Sequence, residues 1–406
     1  MEAPPLTAPQ HQITEVLRIV GQYEALWSGS PTDTPSDSSI DGPLLGNGDM
    51  LISIGGPPDA VVFHLGKNDF WRLEHGDGNA APLPVGTLTL ATADLAGADY
   101  GVNQALVDAT TRLTLDGGDG VLRMECRVLA QENLLLIGLT AERRDFDVTC
   151  RLSVHSGRSS VTTAGDSDGV LWSERAFQAR DVDIPTSVVC VMTTIGSDTG
   201  GHAVDFGSGS PPQQPNVTVG DGKTAWVAVA MESLFKSVTP RDDAIARCAR
   251  LQPSDFPALT AEHAAWWAAY WDQAWIEIGD PLIEKAYYLS YYGMGSCSRD
   301  PEFPPAIFGW TTTDAPGWNG DYHTNYNHAA PFYALASGNR LEQLAPHDAP
   351  VLKFMSRAEK YATDIFGSGS ERWGVLYPVG IGPEGIDSTH SHASFSHPNK
   401  EQGVLT

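Results

Sequence analysis

A short stretch between residues 308 and 328 holds the residue types that sugar chemistry needs. It reads Phe-Gly-Trp-Thr-Thr-Thr-Asp-Ala-Pro-Gly-Trp-Asn-Gly-Asp-Tyr-His-Thr-Asn-Tyr-Asn-His. Flat aromatic rings cover the apolar C–H faces of a sugar, while amide, carboxylate and imidazole groups pair with its hydroxyls. The stretch therefore indicates a carbohydrate site. Its candidate residues are Trp310, Trp318, Asp321, Tyr322, His323, Asn325 and Asn327.

Some of these residue types have a purely structural alternative. Six of the eleven tryptophans lie between residues 266 and 318. Four of them, Trp266, Trp267, Trp271 and Trp275, follow helical spacing, which favours a core role over a sugar platform. Trp310 and Trp318 stand in a loop instead. Asn325 and Asn327 have an alternative too, because asparagine is a favoured N-cap and the pair could cap the next helix, a role that Asn327 could fill alone.

Glycoside hydrolysis usually needs a pair of carboxyl groups, and the predicted loops contain several. They are Glu302, Asp314, Asp321, Glu371, Glu384 and Asp387. With 50 acidic residues in the chain, chance alone places some in loops, so no acid and base pair is assigned.

Three histidines near the end of the chain, His390, His392 and His397, invite a metal interpretation. No carboxylate or cysteine accompanies them at a recognised ligand spacing. We predict neither a metal nor a cofactor, so a chelator should leave any activity intact.

The elements that would position this stretch change character along the chain. From about residue 45 to 235, apolar and polar residues alternate, as in Phe146 to Val154, and Gly/Asp/Ser turns separate the runs. This period of two predicts antiparallel strands with one polar face. Many strands without intervening helices indicate a large β-sandwich. The strands expected besides 122–128 and 146–154 are 50–54, 60–65, 86–92, 134–141, 186–194 and 224–231.

Helical patterns follow the strands. A helix is expected from Thr260 through Trp275, and a second from Leu282 to Gly295 behind the Asp280-Pro281 cap. Two more are expected at 327–337 and 348–366. The fold class is thus a β-sandwich followed by an all-α domain. We expect domains of residues 1–250 and 251–406, since 406 residues exceed one ordinary core.

The composition and net charge limit the classes of partner that this protein could bind. The formal net charge is −25, with a pI near 4.6, so nucleic acid and anionic membrane surfaces would be repelled. No apolar run has the length of a membrane span. The first residues lack a basic segment followed by an apolar one, which favours a cytoplasmic over a secreted protein. The five cysteines form no CxxC and are expected as free thiols. The oligomeric state stays open.

The 308–328 stretch resembles glycoside hydrolase family 95, the inverting α-L-fucosidases and α-L-galactosidases. The family pattern fits at Trp310, Trp318, Tyr322, Asn325 and Asn327 without a gap. The segments 43–56 (Pro-Leu-Leu-Gly-Asn-Gly-Asp-Met-Leu-Ile-Ser-Ile-Gly-Gly) and 63–71 (Phe-His-Leu-Gly-Lys-Asn-Asp-Phe-Trp) resemble the family's opening motif and the strand after it. The resemblance spans most of residues 40 to 345.

The resemblance implies a super-sandwich followed by an (α/α)6 barrel. It implies that Asn325 and Asn327 hold the attacking water, while Trp310, Trp318, Asp321, Tyr322 and His323 shape the pocket. It also implies that the general acid and base come from later helices and loops. Thr311-Thr312 replaces the family's Asn-Asp, which leaves the sugar open.

The helical half is short for a complete barrel. The chain has 151 residues after residue 255, whereas twelve average helices with short connections need about 190. We expect this chain to be the N-terminal portion of a longer enzyme. The leading hypothesis is an inverting glycosidase acting on an oligosaccharide or glycoside. The alternatives are a sugar-binding protein without catalysis and a phosphorylase of the same architecture.

Overall fold

The computed structural model describes residues 10–76, 80–167, 169–196, 215–366 and 374–389. After one N-terminal helix, antiparallel strands are followed by a mainly helical region, in the order that the periodicity predicts. The strands in these ranges are β1 Glu24–Trp27, β2 Leu44–Gly46, β3 Met50–Gly55, β4 Ala60–Lys67, β5 Trp71–Arg72, β6 Ala81–Pro82, β7 Gly86–Ala91, β8 Asp99–Ala105, β9 Thr110–Asp116, β10 Val121–Val128, β11 Leu134–Glu142, β12 Phe146–Val154, β13 Val161–Ser167, β14 Val170–Phe177, β15 Thr186–Ile195, β16 Asn216–Val219, β17 Thr224–Ser233, β18 Tyr322–His323 and β19 Gly380–Ile381.

Two large sheets form the strand-rich part. One has nine strands in the order β1-β8-β9-β10-β11-β17-β15-β14-β13, and the other has six in the order β16-β12-β7-β4-β3-β2. Their inner faces share one apolar core, in which Ile52 and Phe63 of the six-stranded sheet meet Leu122 and Ile137 of the nine-stranded sheet. Face-to-face packing of two antiparallel sheets is a β-sandwich.

The α-helices in the described ranges are α1 Gln10–Val20, α2 Pro240–Ala249, α3 Phe256–Asp272, α4 Pro281–Cys297, α5 Tyr326–Ala329, α6 Leu341–Leu344 and α7 Ala349–Phe366. The Asp280 carboxylate caps α4 by accepting from the N–H groups of Leu282 and Ile283, as its sequence signature predicts. The helices α3, α4 and α7 are the long members after residue 251. The (α/α)6 arrangement and the domain boundary at residue 250 stay predictions.

Some helix bounds differ from the sequence expectation. Helix α3 begins at Phe256, four residues before Thr260, and has Pro257 in its first turn. It ends at Asp272, before Trp275. The helix expected over 327–337 shortens to the single turn of α5, followed by a 3₁₀ turn over Ala330–Phe332. Pro331 explains the change, because proline lacks the N–H that would continue the α-helical ladder.

Two helices pack in ways the sequence analysis did not anticipate. Helix α1 inserts Val16 and Ile19 into an aromatic cluster with Trp267 and Trp271 of α3. This confirms that these two tryptophans are core residues. Helix α2 lies on the outer face of the nine-stranded sheet, where Cys248 is buried. All five cysteines are free and buried.

No helix in the described part of the chain combines the length and apolar character that crossing a bilayer requires.

Candidate functional site

The segment from Phe308 to His328, called the site loop below, packs between the sandwich and helix α7. Trp310 is half-buried, and its indole N–H donates to the backbone oxygen of Leu45 at 2.8 Å. Thr312 donates its hydroxyl to the backbone oxygen of Ser36 at 2.8 Å. Both residues therefore anchor the start of the loop to the sandwich, and Trp310 uses its polar group for that anchor.

Trp318 is the most accessible aromatic ring of the site loop's predicted residues. Its side chain is 64% exposed, and its backbone lies in the left-handed region with φ of 47°. The ring stacks on the imidazole of His323, with centroids 5.3 Å apart and planes 22° apart. A left-handed non-glycine residue costs of order 1–3 kcal/mol and persists only where its surroundings hold it. The strained turn presents a flat ring to solvent, as a sugar platform requires.

The imidazole under Trp318 is oriented by a buried carboxylate. Asp321 is 1% exposed, and its Oδ1 lies 2.7 Å from Nδ1 of His323. Its Oδ2 accepts a hydrogen bond from the Ser388 hydroxyl at 2.5 Å. When Nδ1–H donates to Asp321, a neutral His323 keeps Nε2 as an acceptor. Asp321 therefore positions His323 and does not itself face solvent.

A strand from the later part of the chain completes this arrangement. The short strand β19 pairs with β18, and Gly380 lies opposite His323. A Cβ atom at Gly380 would lie 1.9 Å from Oδ2 of Asp321. Only glycine therefore lets the second strand approach the carboxylate this closely.

The two asparagines stand at the start of α5. Oδ1 of Asn325 accepts a hydrogen bond from the backbone N–H of Asn327 at 3.0 Å, so Asn325 is the N-cap. The cap predicted for Asn327 is therefore made by Asn325. Asn327 is exposed, and its side chain has no recorded hydrogen bond within the described ranges. Both amides follow the Trp318–His323 stack closely in the chain, and the side chain of Asn327 is exposed.

Tyr322 lies in the core and not on the surface. Its ring is 1% exposed and packs at 4.9 Å from the ring of Trp71. Its hydroxyl has no partner among the described residues. Burial, with the negative charges of Asp300 and Asp69 behind it, holds the pKa of Tyr322 well above its usual value. Tyr322 therefore anchors the site loop to the core through its contact with Trp71.

Sequence reasoning missed a buried charge cluster next to Tyr322. The Lys67 ammonium lies 2.6 Å from Oδ1 of Asp49 and 2.8 Å from Oδ2 of Asp69. Burial alone would lower the pKa of Lys67, but these carboxylates outweigh it and raise that pKa. Burial and the charge of Asp49 raise the pKa of Asp69 to about 6. The three residues lie in the segments 43–56 and 63–71, but only the pairing of β3 with β4, which places Met50 opposite Lys67, brings Asp49 to Lys67.

The same two sandwich segments hold the end of helix α4. The N–H of Gly48 donates to the backbone oxygen of Ser296 at 2.7 Å. The Asn68 amide donates to the backbone oxygens of Gly48 and Cys297 at 2.8 and 2.7 Å. We call this contact the socket, formed by residues 46–49 and 67–69. The socket fixes the C-terminal end of helix α4, which precedes the site loop in the chain.

Most of the loop carboxylates, to which the sequence assigned no catalytic role, form ion pairs or hydrogen bonds. Asp314 pairs with the buried guanidinium of Arg175 at 2.9 Å. Glu302 and Glu384 both pair with Lys353. Asp387 accepts from the Tyr361 hydroxyl at 2.7 Å. Glu371 and the histidines His390, His392 and His397 lie outside the described residues.

One group of carboxylates has the spacing of a cation site. Oxygens of Asp49, Asp69 and Asp300 lie within 4.8 Å of one another. Lys67 bridges the first two, and Lys236 lies 2.6 Å from Oδ2 of Asp300. Two lysines thus supply the positive charge that a cation would bring, so the donor set fits an ion-pair network better than a metal centre.

No family model matches this sequence. Over 100 residues the chain is 33% identical to the "Probable alpha-fucosidase A" of Aspergillus niger, a match that covers 23% of this chain and 12% of that protein. The fold is similar to the "Putative kojibiose phosphorylase from human microbiome", with a TM-score of 0.61 and 12% identity over 90% of this chain. A bacterial glucoamylase solved with acarbose gives a TM-score of 0.45 at 9% identity, also over 90% of this chain.

The chain spans 52% of the phosphorylase chain, 56% of the glucoamylase chain and a much smaller part of the fucosidase. At 12% identity, the likeness to the phosphorylase establishes a shared fold and no shared reaction. The three proteins are all named as carbohydrate-active enzymes.

Proposed function

We propose that the site loop is the sugar-binding and water-holding part of a glycoside hydrolase. The enzyme acts on a terminal α-linked sugar with inversion, in the manner of the α-L-fucosidases that the sequence resembles. The observation that carries the proposal is the exposed ring of Trp318, which stacks on His323 from a left-handed backbone conformation. The exposed amide of Asn327 follows it in the chain. The named fucosidase with 33% local identity supports the same substrate class.

In this proposal Trp318 stacks on the apolar face of the sugar, and His323 bonds one of its hydroxyls through Nε2. The Asn327 amide oxygen accepts a hydrogen bond from water without placing a charge beside the oxocarbenium-like centre. Inversion needs one carboxyl to protonate the leaving oxygen and another to activate that water. The described loop carboxylates are engaged in ion pairs and hydrogen bonds, so the proposal gives neither role to them.

The test uses the full-length gene product, including any residues encoded after Thr406, with 4-nitrophenyl α-L-fucoside and α-L-galactoside. Asn327→Ala should lower kcat about 10²–10³-fold with little change in KM, the size of effect seen when one stabilising group is removed. Trp318→Ala should raise KM instead. Asn325→Ser keeps an oxygen for the helix cap and separates the capping role from the amide's role. Asn216→Ala on strand β16 is the matched control and should change neither constant.

The outcomes separate the rival functions. Proton NMR of the first product should show the anomer opposite to the substrate. Equal loss of sugar binding and turnover in Asn327→Ala would contradict the water-holding role. Sugar binding without any turnover would favour a binding protein.

A phosphorylase is the second candidate, and the fold shared with the named kojibiose phosphorylase favours it. Phosphorolysis consumes inorganic phosphate and yields a sugar phosphate, whereas hydrolysis proceeds in phosphate-free buffer. Turnover that appears only on adding phosphate would therefore replace the hydrolase proposal.

A further inference from the structure

The outer face of the nine-stranded sheet carries a groove separate from the site loop. The groove has a volume of about 950 Å³ and extends over strands β1, β8, β9, β10 and β11. Four strand spacings amount to roughly 19 Å, longer than a single sugar ring. None of its lining residues comes from the site loop.

Side chains in cross-strand register form the floor of the groove. One row runs from Leu26 through Asn103, Arg112 and Glu125 to Gly138. The next row runs from Gly101 through Thr114 and Arg123 to Thr140. Hydrogen-bonding groups thus alternate along a flat surface, so a ligand lying across the strands meets a donor or acceptor at each strand.

The arginine forks in these rows are held in place. Arg112 pairs with Asp108 at 2.9 Å, and Arg123 pairs with Glu142 at 2.6 Å while donating to the Thr114 hydroxyl at 2.9 Å. A planar guanidinium that is already oriented loses less side-chain entropy when it binds a ligand. Paired donors and acceptors of this kind match the neighbouring hydroxyls of a sugar.

Charge decides which class of ligand fits. Two glutamates, Glu24 and Glu125, and two arginines, Arg112 and Arg123, line the groove, so its formal charge is balanced. The whole chain carries −25, and a balanced groove in such a protein neither attracts a polyanion nor concentrates a cation. The exposed Leu26 lies at the β1 end of the groove, whereas Trp27 points to the opposite face of β1 and packs against the sandwich core.

We propose that this groove binds a neutral oligosaccharide chain, whose hydroxyls pair with the oriented guanidinium groups of Arg112 and Arg123. The groove is a second carbohydrate site, and it holds a polymer whose end is processed elsewhere. This proposal goes beyond the proposed function, because it concerns binding of the polymer and not cleavage.

Gly101 allows a sharp test. It lies in the middle of β8 with an ordinary strand conformation, and an added Cβ would meet nothing nearer than the backbone oxygen of Thr114 at 3.9 Å. Gly101→Leu should therefore fold normally and fill the groove. Gly293→Leu on α4 is the matched control, because a Cβ there also meets no atom within 4 Å. Thermal unfolding of both variants checks the fold.

The assay is affinity electrophoresis of the full chain in gels containing xyloglucan, arabinoxylan, galactomannan or dextran, with polygalacturonate as the charged control. We expect at least one neutral polymer to retard the protein. Gly101→Leu should weaken that binding at least tenfold, whereas Gly293→Leu and Trp318→Ala should not. Gly101→Leu should leave kcat/KM on a nitrophenyl glycoside unchanged.

Several results would overturn the proposal. They are no retardation by any neutral polymer, equal retardation of Gly101→Leu and wild type, or loss of retardation in Trp318→Ala alone. A wild-type dimer that Gly101→Leu dissociates in sedimentation velocity would show that a second copy of the chain occupies the groove.

Discussion

Replacing Lys67 by methionine tests the socket most directly. The Lys67 side chain is fully buried, and it bridges Asp49, 17% exposed, and Asp69, fully buried. Methionine fills a similar volume without the charge. The variant therefore leaves two carboxylates facing each other without a counter-ion, and removing one partner of a buried pair costs about 3–5 kcal/mol. We expect a loss of that size in the free energy of unfolding at pH 7.5.

The pH dependence of this loss has a defined sign. In the wild type the pKa of Asp69 is already about 6 through burial and the nearby Asp49, although Lys67 opposes the rise. Without the ammonium, the pKa of both carboxyls rises, so the folded variant takes up protons that the unfolded chain does not. Stability then rises as pH falls, by up to about 1.4 kcal/mol per pH unit for each proton. The deficit of the variant should therefore shrink between pH 7.5 and 5.5.

The measurement is urea unfolding followed by tryptophan fluorescence at both pH values. Lys360→Met is the matched control, because Lys360 forms an exposed pair with Asp364 worth at most about 0.5 kcal/mol. The double variant Lys67→Met with Asp69→Asn should lose less than the sum of the single changes. A deficit below about 1 kcal/mol at pH 7.5, or one that grows on acidification, would refute the argument.

Two further predictions use the same unfolding assay. Gly48→Ala should lower the free energy of unfolding by at least about 1–3 kcal/mol. Gly48 has φ of 87°, and an added Cβ would lie 2.2 Å from Cβ of Arg299. An unchanged midpoint of unfolding would contradict the socket geometry. Burial lowers the pKa of His263 to about 4, so the wild type loses stability as pH falls from 6.5 towards 4, by up to about 3 kcal/mol from this residue. His263→Gln keeps a donor for the backbone oxygen of Asp108 and should flatten that loss, whereas parallel pH curves for both proteins would count against it.

Eight strands were predicted because their period is local, whereas the long strands β8, β9, β13 and β14 were not predicted. The alternation in residues 146–154 gives the bounds of β12, and the other predicted strands lie within two residues of their observed ends. Helix α1 was not predicted, although Ile13, Val16, Leu17 and Val20 follow helical spacing. Its packing against α3 was not predictable, because the partner lies more than 240 residues away in sequence.

The sequence predicted which residues belong to the site loop, but not which of them are exposed and which are buried. Residue types alone placed Trp318 and Tyr322 in the same class of pocket aromatics. The structure gives them opposite surroundings, since Trp318 is 64% exposed and Tyr322 is 1% exposed. That difference depends on the left-handed turn at Trp318 and on Trp71, which comes from strand β5. Neither can be inferred from the loop alone.

The socket explains why motifs far apart in sequence occur together. Residues 43–56 and 63–71 hold helix α4 through Gly48 and Asn68, and the site loop through Leu45 and Trp71. Substitutions in the socket should therefore lower the free energy of unfolding and leave the choice of ligand unchanged. Substitutions at Trp318 and Asn327 meet fewer packing constraints, because both residues are exposed. Changes in sugar preference should consequently map to that second group, with the free energy of unfolding preserved.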